Sequence, residues 1–153
     1  MPFTNEGFRL LEEIALRGEY DGGAVPTEFF LAVASTAVVP DEDTVLFSEL
    51  TEISSAFGYQ AGGYSIPRSA VGFPTNTVDS PNSRAYTQGQ TVSIACSGGD
   101  VTDVGYAVLL GPHATPGSRK VIKWKAFPSA PVTFSDGDTI ELQKFELSLR
   151  QPT

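Results

Sequence analysis

The chain carries one histidine and one cysteine, and these two side chains bound its chemistry at once. A Ser-His-Asp or Cys-His relay would have to run through His113. That residue sits in a Gly111-Pro112-His113-Ala114-Thr115-Pro116-Gly117 loop, and no Gly-x-Ser-x-Gly nucleophile turn occurs anywhere. A zinc site needs about four nitrogen, sulfur or carboxylate ligands, whereas His113 and Cys96 stand apart in the sequence. Cys96 closes the alternating run Val92, Ile94, Cys96, the setting of a small buried hydrophobe, and a lone cysteine forms no intrachain disulfide. Carboxylates are plentiful, with 18 Asp and Glu against 10 Lys and Arg. Glycoside hydrolysis needs only two of them, yet most fall in turns or on polar strand positions. The single Trp124, flanked by Lys123 and Lys125, is a thin platform for a sugar. Asp41, Glu42 and Asp43 lack the spaced ligands and turn glycine of a calcium loop, so they read as a solvated acidic turn. Ala61-Gly62-Gly63-Tyr64 is followed by no Gly-Lys-Ser/Thr, so it reads as a turn feeding a strand rather than a phosphate cradle. The expectation is a chain with no catalytic residue, no cofactor and no metal.

The charge balance narrows the partners. A net charge of -8 without a basic run argues against nucleic acid and against anionic membranes. Arg119, Lys120, Lys123 and Lys125 form the one local basic cluster, interleaved with Trp124. Alternating lysines of this kind fit an exposed or edge strand guarded against stray pairing. No stretch has the length of a transmembrane helix, and no basic, apolar leader opens the sequence, which predicts synthesis in a cytoplasm.

Turn formers dominate the elements that must carry these residues: 15 Gly and 11 Pro against only 18% charged residues favour many short strands. Residues 132–150 contain an apolar run, a Ser-Asp-Gly-Asp turn and then an alternating run. Ile140 and Leu142 share one face, and Phe145, Leu147 and Leu149 share another, which predicts a half-buried strand with a bulge or a change of sheet at Gln143-Lys144. Residues 27–36 are apolar on both faces and predict a central strand covered on both sides, or on one side by the N-terminal helix. Residues 5–17 predict that helix, capped by Thr4 or Asn5 and ended by Gly18. Its stripe is Phe8, Leu11 and Ala15 with Leu10 and Ile14 beside it, and Glu12 and Glu13 lie outside the stripe. Leu46, Leu50 and Ile53 predict a second, short helix capped by Asp43, and residues 19–26 read as a loop. Residues 69–88 are polar and turn-rich, a long loop or an extended arm. Some seven or eight strands with frequent turns predict a mostly β fold. The expected form is a single-domain antiparallel β-sandwich or jelly-roll-like barrel with an N-terminal helix and one short helix. Apolar residues on the two extensions are the candidate protein contacts: Phe8 and Leu11 on the helix, and Ile66, Val71, Phe73, Val78 and Tyr86 on residues 66–86.

Several phrases stand in order along the chain: Phe3-Thr4-Asn5-Glu6-Gly7, Pro26-Thr27-Glu28-Phe29-Phe30-Leu31-Ala32 and Phe47-Ser48-Glu49-Leu50-Thr51-Glu52-Ile53. Gly58-Tyr59-Gln60-Ala61-Gly62-Gly63-Tyr64 and Ser135-Asp136-Gly137-Asp138-Thr139-Ile140 follow. The ordered set resembles small virion structural proteins of tailed bacteriophages and spans most of the chain. The resemblance implies a virion protein made in the host cytoplasm, with the major capsid protein or another virion protein as partner. Among such proteins, head decoration (cement) proteins of this size are often β-rich and trimeric and tie capsomers together. Tail, fibre and head-tail joining subunits are the alternative within the class. A carbohydrate-binding β-sandwich is the reading from a different class.

Overall fold

A computed structural model describes residues 2–142 and 145–150. The N-terminal helix, α1 (Asn5–Glu12), begins where Thr4 accepts the amide of Gly7 at its hydroxyl, a cap of the expected kind. The same hydroxyl donates to the carbonyls of Val121 and Ile122, and the Thr4 amide donates to Ile122 at 3.1 Å. The docking face of α1 is therefore Gly7, Leu10, Leu11 and Ile14, with Leu10 fully buried and Phe8 and Ala15 turned outward. This corrects the predicted stripe of Phe8, Leu11 and Ala15. A glycine marks the closest approach by having no side chain, which a hydrophobicity pattern cannot register. A Cβ at Gly7 would lie 2.6 Å from the Ile122 Cα.

Beyond Glu12 the helix widens into a π turn, Glu13–Arg17, closed by Gly18 with φ +66°. The inserted residue swings Glu13 inward, contrary to its predicted polar position. Its carboxylate accepts the amides of Asp21 and Gly22 and faces the Arg9 guanidinium at 3.2 Å. Those amides belong to the turn between β1 (Glu19–Tyr20) and β2 (Gly23–Ala24), a two-residue hairpin within the predicted loop.

The predicted central strand is β3 (Glu28–Ala34). Its edges pair with β4 (Tyr64–Pro67) and with a later strand, so its backbone is satisfied on both sides. Both faces are covered as well. Phe29, Leu31 and Val33 enter the main core, while Ala32 and Ala34 lie under Phe47 and Leu50. That cover comes from the segment around Phe47, not from α1. The segment is a single 3-10 turn, Phe47–Glu49, rather than the predicted helix of two to three turns. Its donors are used elsewhere: Leu46 bonds the Glu49 carboxylate at 2.7 Å, and Ile53 bonds the Val33 carbonyl at 3.2 Å.

The predicted loop at residues 69–88 is instead a hairpin, β5 (Thr75–Asp79) and β6 (Arg84–Gln88), joined by a 3-10 turn at Ser80–Asn82. Strands β7 (Val92–Ala95), β8 (Val101–Val104) and β9 (Tyr106–Leu110) continue from it. The chain then reverses and returns through β10 (Val121–Ala126), β11 (Val132–Phe134), β12 (Thr139–Leu142) and β13 (Glu146–Arg150). Each returning strand pairs antiparallel with its outgoing counterpart: β10 with β9, β11 with β8, β12 with β7 and β13 with β6. Residues 84–150 thus form one long hairpin, folded where both strands break at the same level. At one corner, 97–100 faces 135–138, the Gly137 amide reaches Cys96 at 2.9 Å and Gly98 reaches Asp136 at 2.9 Å. Gly137, at φ +92°, is the turn glycine the sequence indicated. At the next, Phe127 bonds back to Gly105 at 2.9 Å. Such corners let one ribbon serve two layers.

The central sheet has the order β10-β9-β3-β4, and the folded ribbons of β7, β8, β11 and β12 lie against it. Among the described residues the fold is mostly β with antiparallel sheets and no closed barrel, consistent with the predicted β-sandwich. Ile94, Ile140, Leu142, Phe145, Val101 and Val104 from the ribbons fill the main core against Leu109, Ile122 and Ile66. Cys96 is buried among them, as expected. The bulge predicted at Gln143-Lys144 lies outside the described residues.

A register shift between Val121 and Lys123 corrects the reading of β10. It sends Lys123 inward, 3% exposed, where Nζ donates to the Glu146 carbonyl and sits 4.1 Å over the Phe3 ring. Burial pushes this ammonium down to about 8, against the opposing charge of Glu146. The folded chain therefore binds this proton more weakly than the unfolded chain does. Stability should rise by about 2 kcal/mol between roughly pH 8 and pH 10. Above that range the Tyr59 and Tyr20 phenols, raised by burial, oppose the gain. Urea titrations across that range test this, and Lys123→Met should abolish the rise. Gly7→Ala should cost about 1–3 kcal/mol by overpacking α1 against β10, read as a lower urea midpoint at unchanged slope.

Candidate interaction surface

The residues considered for catalysis and ligand binding lie in separate local settings. His113 is exposed and its Nδ1 accepts the Thr115 amide of its own loop at 3.0 Å. Burial, with Asp138 nearby, raises the Cys96 thiol. Asp41 accepts the Asp43 amide and the Thr44 hydroxyl, holding a turn. Among the described residues no three His, Cys, Asp or Glu side chains are grouped to hold a metal. No described helix is long and apolar enough to cross a membrane. The basic strand predicted to be exposed or at an edge is the edge strand β10 with Lys125 exposed, but Lys123 is inside, and Arg119 is buried with its guanidinium 3.4 Å from the centre of the Phe30 ring. Trp124 is half-buried and stands edge-on to Tyr106 at 5.8 Å. A shallow cleft of about 390 Å³ opens between β10 and β12, floored by Ala107 and Leu142 and rimmed by Lys125 and Glu141.

At the open end of the long hairpin, β5 joins β6 and β13 in a three-stranded sheet of order β13-β6-β5. Alternation divides its faces. Thr75, Thr77, Asp79, Arg84, Tyr86, Gln88, Glu146 and Ser148 share one; Asn76, Val78, Ala85, Thr87 and Leu147 share the other. None of the described side chains of the three strands is buried. Arg84 ties the sheet together on the polar face. Its Nε meets Asp79 of β5 at 2.8 Å, its Nη1 meets the Glu146 carboxylate of β13, and its guanidinium lies 4.7 Å over Tyr86. Arg84 and Asn82 hold the Asp79 carboxyl below its ordinary range, and Asp79 in turn raises Arg84. Glu146 is held from both ends, its carboxylate by Arg84 and its carbonyl by Lys123.

The predicted contact residues separate. Ile66 is 1% exposed and paired with Phe29, and Phe73 is half-buried edge-on to the same ring at 6.0 Å. Both root the arm in its own core instead of facing a partner. Gln90 bonding to Gly72 at 2.7 Å completes that root. Leu11 packs on the core, and Tyr86 is covered by Arg84. Val71 at 73%, Val78 at 72% and Phe8 at 47% remain exposed. Phe8 stacks on Phe3 at 4.5 Å on α1, a different element from the hairpin carrying Val78 and its approach carrying Val71. Sequence reasoning missed Arg84. Its signal was a Ser-Pro-Asn-Ser turn flanked by Asp79 and Arg84, between two runs of good strand formers.

The chain matches no protein-family model, no curated protein and no solved structure.

The arrangement is a three-stranded sheet tied across by Arg84, with none of its described side chains fully buried. Arg84→Ala should release β5 from β13. Amide exchange in residues 75–79 should then quicken by about tenfold or more, while the core strands keep their protection. Hydrogen-exchange mass spectrometry of the two proteins decides it, and unchanged protection in β5 would show that Arg84 does not hold the sheet.

Proposed function

We propose that this protein is a non-catalytic structural subunit of a virus particle, a head decoration (cement) protein that binds the outer capsid surface and stabilises the shell. The open-end sheet carries the reading. A three-stranded sheet fixed by Arg84 yet burying none of its described side chains is a surface built for cover by another protein. Behind it stands a body with two apolar clusters, stiff enough to present the sheet without rearranging. Exposed Val71 and Val78 supply apolar anchors of the kind that interfaces bury. The resemblance of the ordered sequence phrases to virion proteins of tailed bacteriophages gives the setting. The partner is then the major capsid protein, on whose lattice many copies stand.

Quantitative mass spectrometry of purified virions tests the proposal. A decoration protein should be present at a copy number comparable with the major capsid protein, and added protein should bind stripped shells saturably and raise their melting temperature. A handful of copies per particle and no binding to shells would move the protein to the tail, fibre or head-tail joint. Absence from the particle would overturn the reading.

A further inference from the structure

The chain treats the outer edges of β10 and β5, each at the end of its own sheet, differently. The free edge of β10 is covered by its own N-terminal segment: Phe3 bridges to Lys123, and the Trp124 amide reaches Pro2 at 3.3 Å. Leu46 covers the same edge at Lys120. The outer edge of β5 has no such cover, and among the described residues its backbone pairs with β6 alone. Devices that usually guard an edge are missing from it. Residues 75–79 contain no lysine and no proline, and the register with β6 runs through five pairs without a bulge. An unguarded edge of amides and carbonyls takes one kind of ligand, another extended strand.

We infer that the strand it takes is β5 of a second copy, paired antiparallel across a two-fold axis. Charge is the first argument. The chain as a whole carries -8, which keeps most of its surfaces apart. Residues 75–78 are uncharged, and the one charge on β5, Asp79, is held by Arg84 of its own chain. Two copies can meet there without opposing like charges. Shape is the second. An axis through Val78 sets the two exposed Val78 side chains directly opposite each other and Thr77 opposite Asp79, so the seam has an apolar centre over residues 77–79 and opposes no like charges. The contact is self-complementary, so it links copies in pairs. Arg84 has already ordered the strand on its inner side, which lowers the entropic cost of adding a neighbour. This inference uses the sheet of the decoration reading but does not require a virion.

Sedimentation equilibrium of the purified full chain, over a wide concentration range, reads it directly. The mass should rise from one chain to two. Val78→Lys should weaken the association at least tenfold, because two ammonium groups would then meet at the axis. Thr77→Lys, also at an exposed position, is the second variant should the first disturb folding, and circular dichroism checks both. Exchange protection of the β5 amides should increase with concentration while that of β7 stays constant. A monomer at every concentration, or an oligomer that neither variant weakens, overturns the contact. A monomer that still coats shells overturns this contact alone, and a dimer missing from virions overturns the decoration reading alone.

Discussion

One clasp, between residue 4 and residues 121 and 122, sets the rest of the molecule. Thr4 caps α1 with the same hydroxyl that it gives to the carbonyls of β10, so helix start and sheet edge share one bond network. Gly7 then lets the helix lie on the strand at backbone distance. With Thr4 fixed, Phe3 runs along β10 and covers Lys123. Lys123 in turn holds the carbonyl of Glu146, whose carboxylate holds Arg84, whose guanidinium holds Asp79. A continuous line of contacts therefore leads from the N-terminal cap to the outermost strand of the exposed sheet.

The line explains why a sheet with so little burial of its own is a defined surface. Three short strands without a buried face do not hold together in water by side-chain packing. Here their geometry is inherited: β13 from Lys123 and the main core, β6 from its place in the long hairpin, β5 from Arg84. The apolar residues that might have been free anchors, Ile66 and Phe73, are spent on rooting the approach to β5. Rigidity of the arm and availability of its tip are thus assigned to different residues.

The sequence was most legible where one residue type dictates one local outcome. Unbroken apolar character over residues 27–36 meant a strand covered on both faces, and Asp136-Gly137 meant a turn. Legibility failed where a residue acts against its type. Gly7 marks the helix contact by lacking a side chain, Glu13 is turned inward by a π turn, and Lys123 is buried by a one-residue register shift. Leu46, Leu50 and Ile53 have helical spacing, but their amides were claimed by Glu49, Phe47 and Val33. The β5-β6 hairpin is polar on one face and nearly so on the other, so no hydrophobic period announces it. Of the contact residues read from sequence, Val71, Val78 and Phe8 are exposed, and the rest are inside or covered.

The folded long hairpin also fixes an order of events during synthesis. Strands β6 to β9 pair with β13 to β10, so the ribbon closes from its tip outward through contacts that grow steadily longer in sequence. The clasp that organises the molecule joins residues 117 positions apart. A ribosome therefore delivers the N-terminal helix long before β10, its docking strand, exists, whereas β3 meets β4 and the Phe47 segment early. The helix cap and its docking on β10 can close only once β10 has emerged.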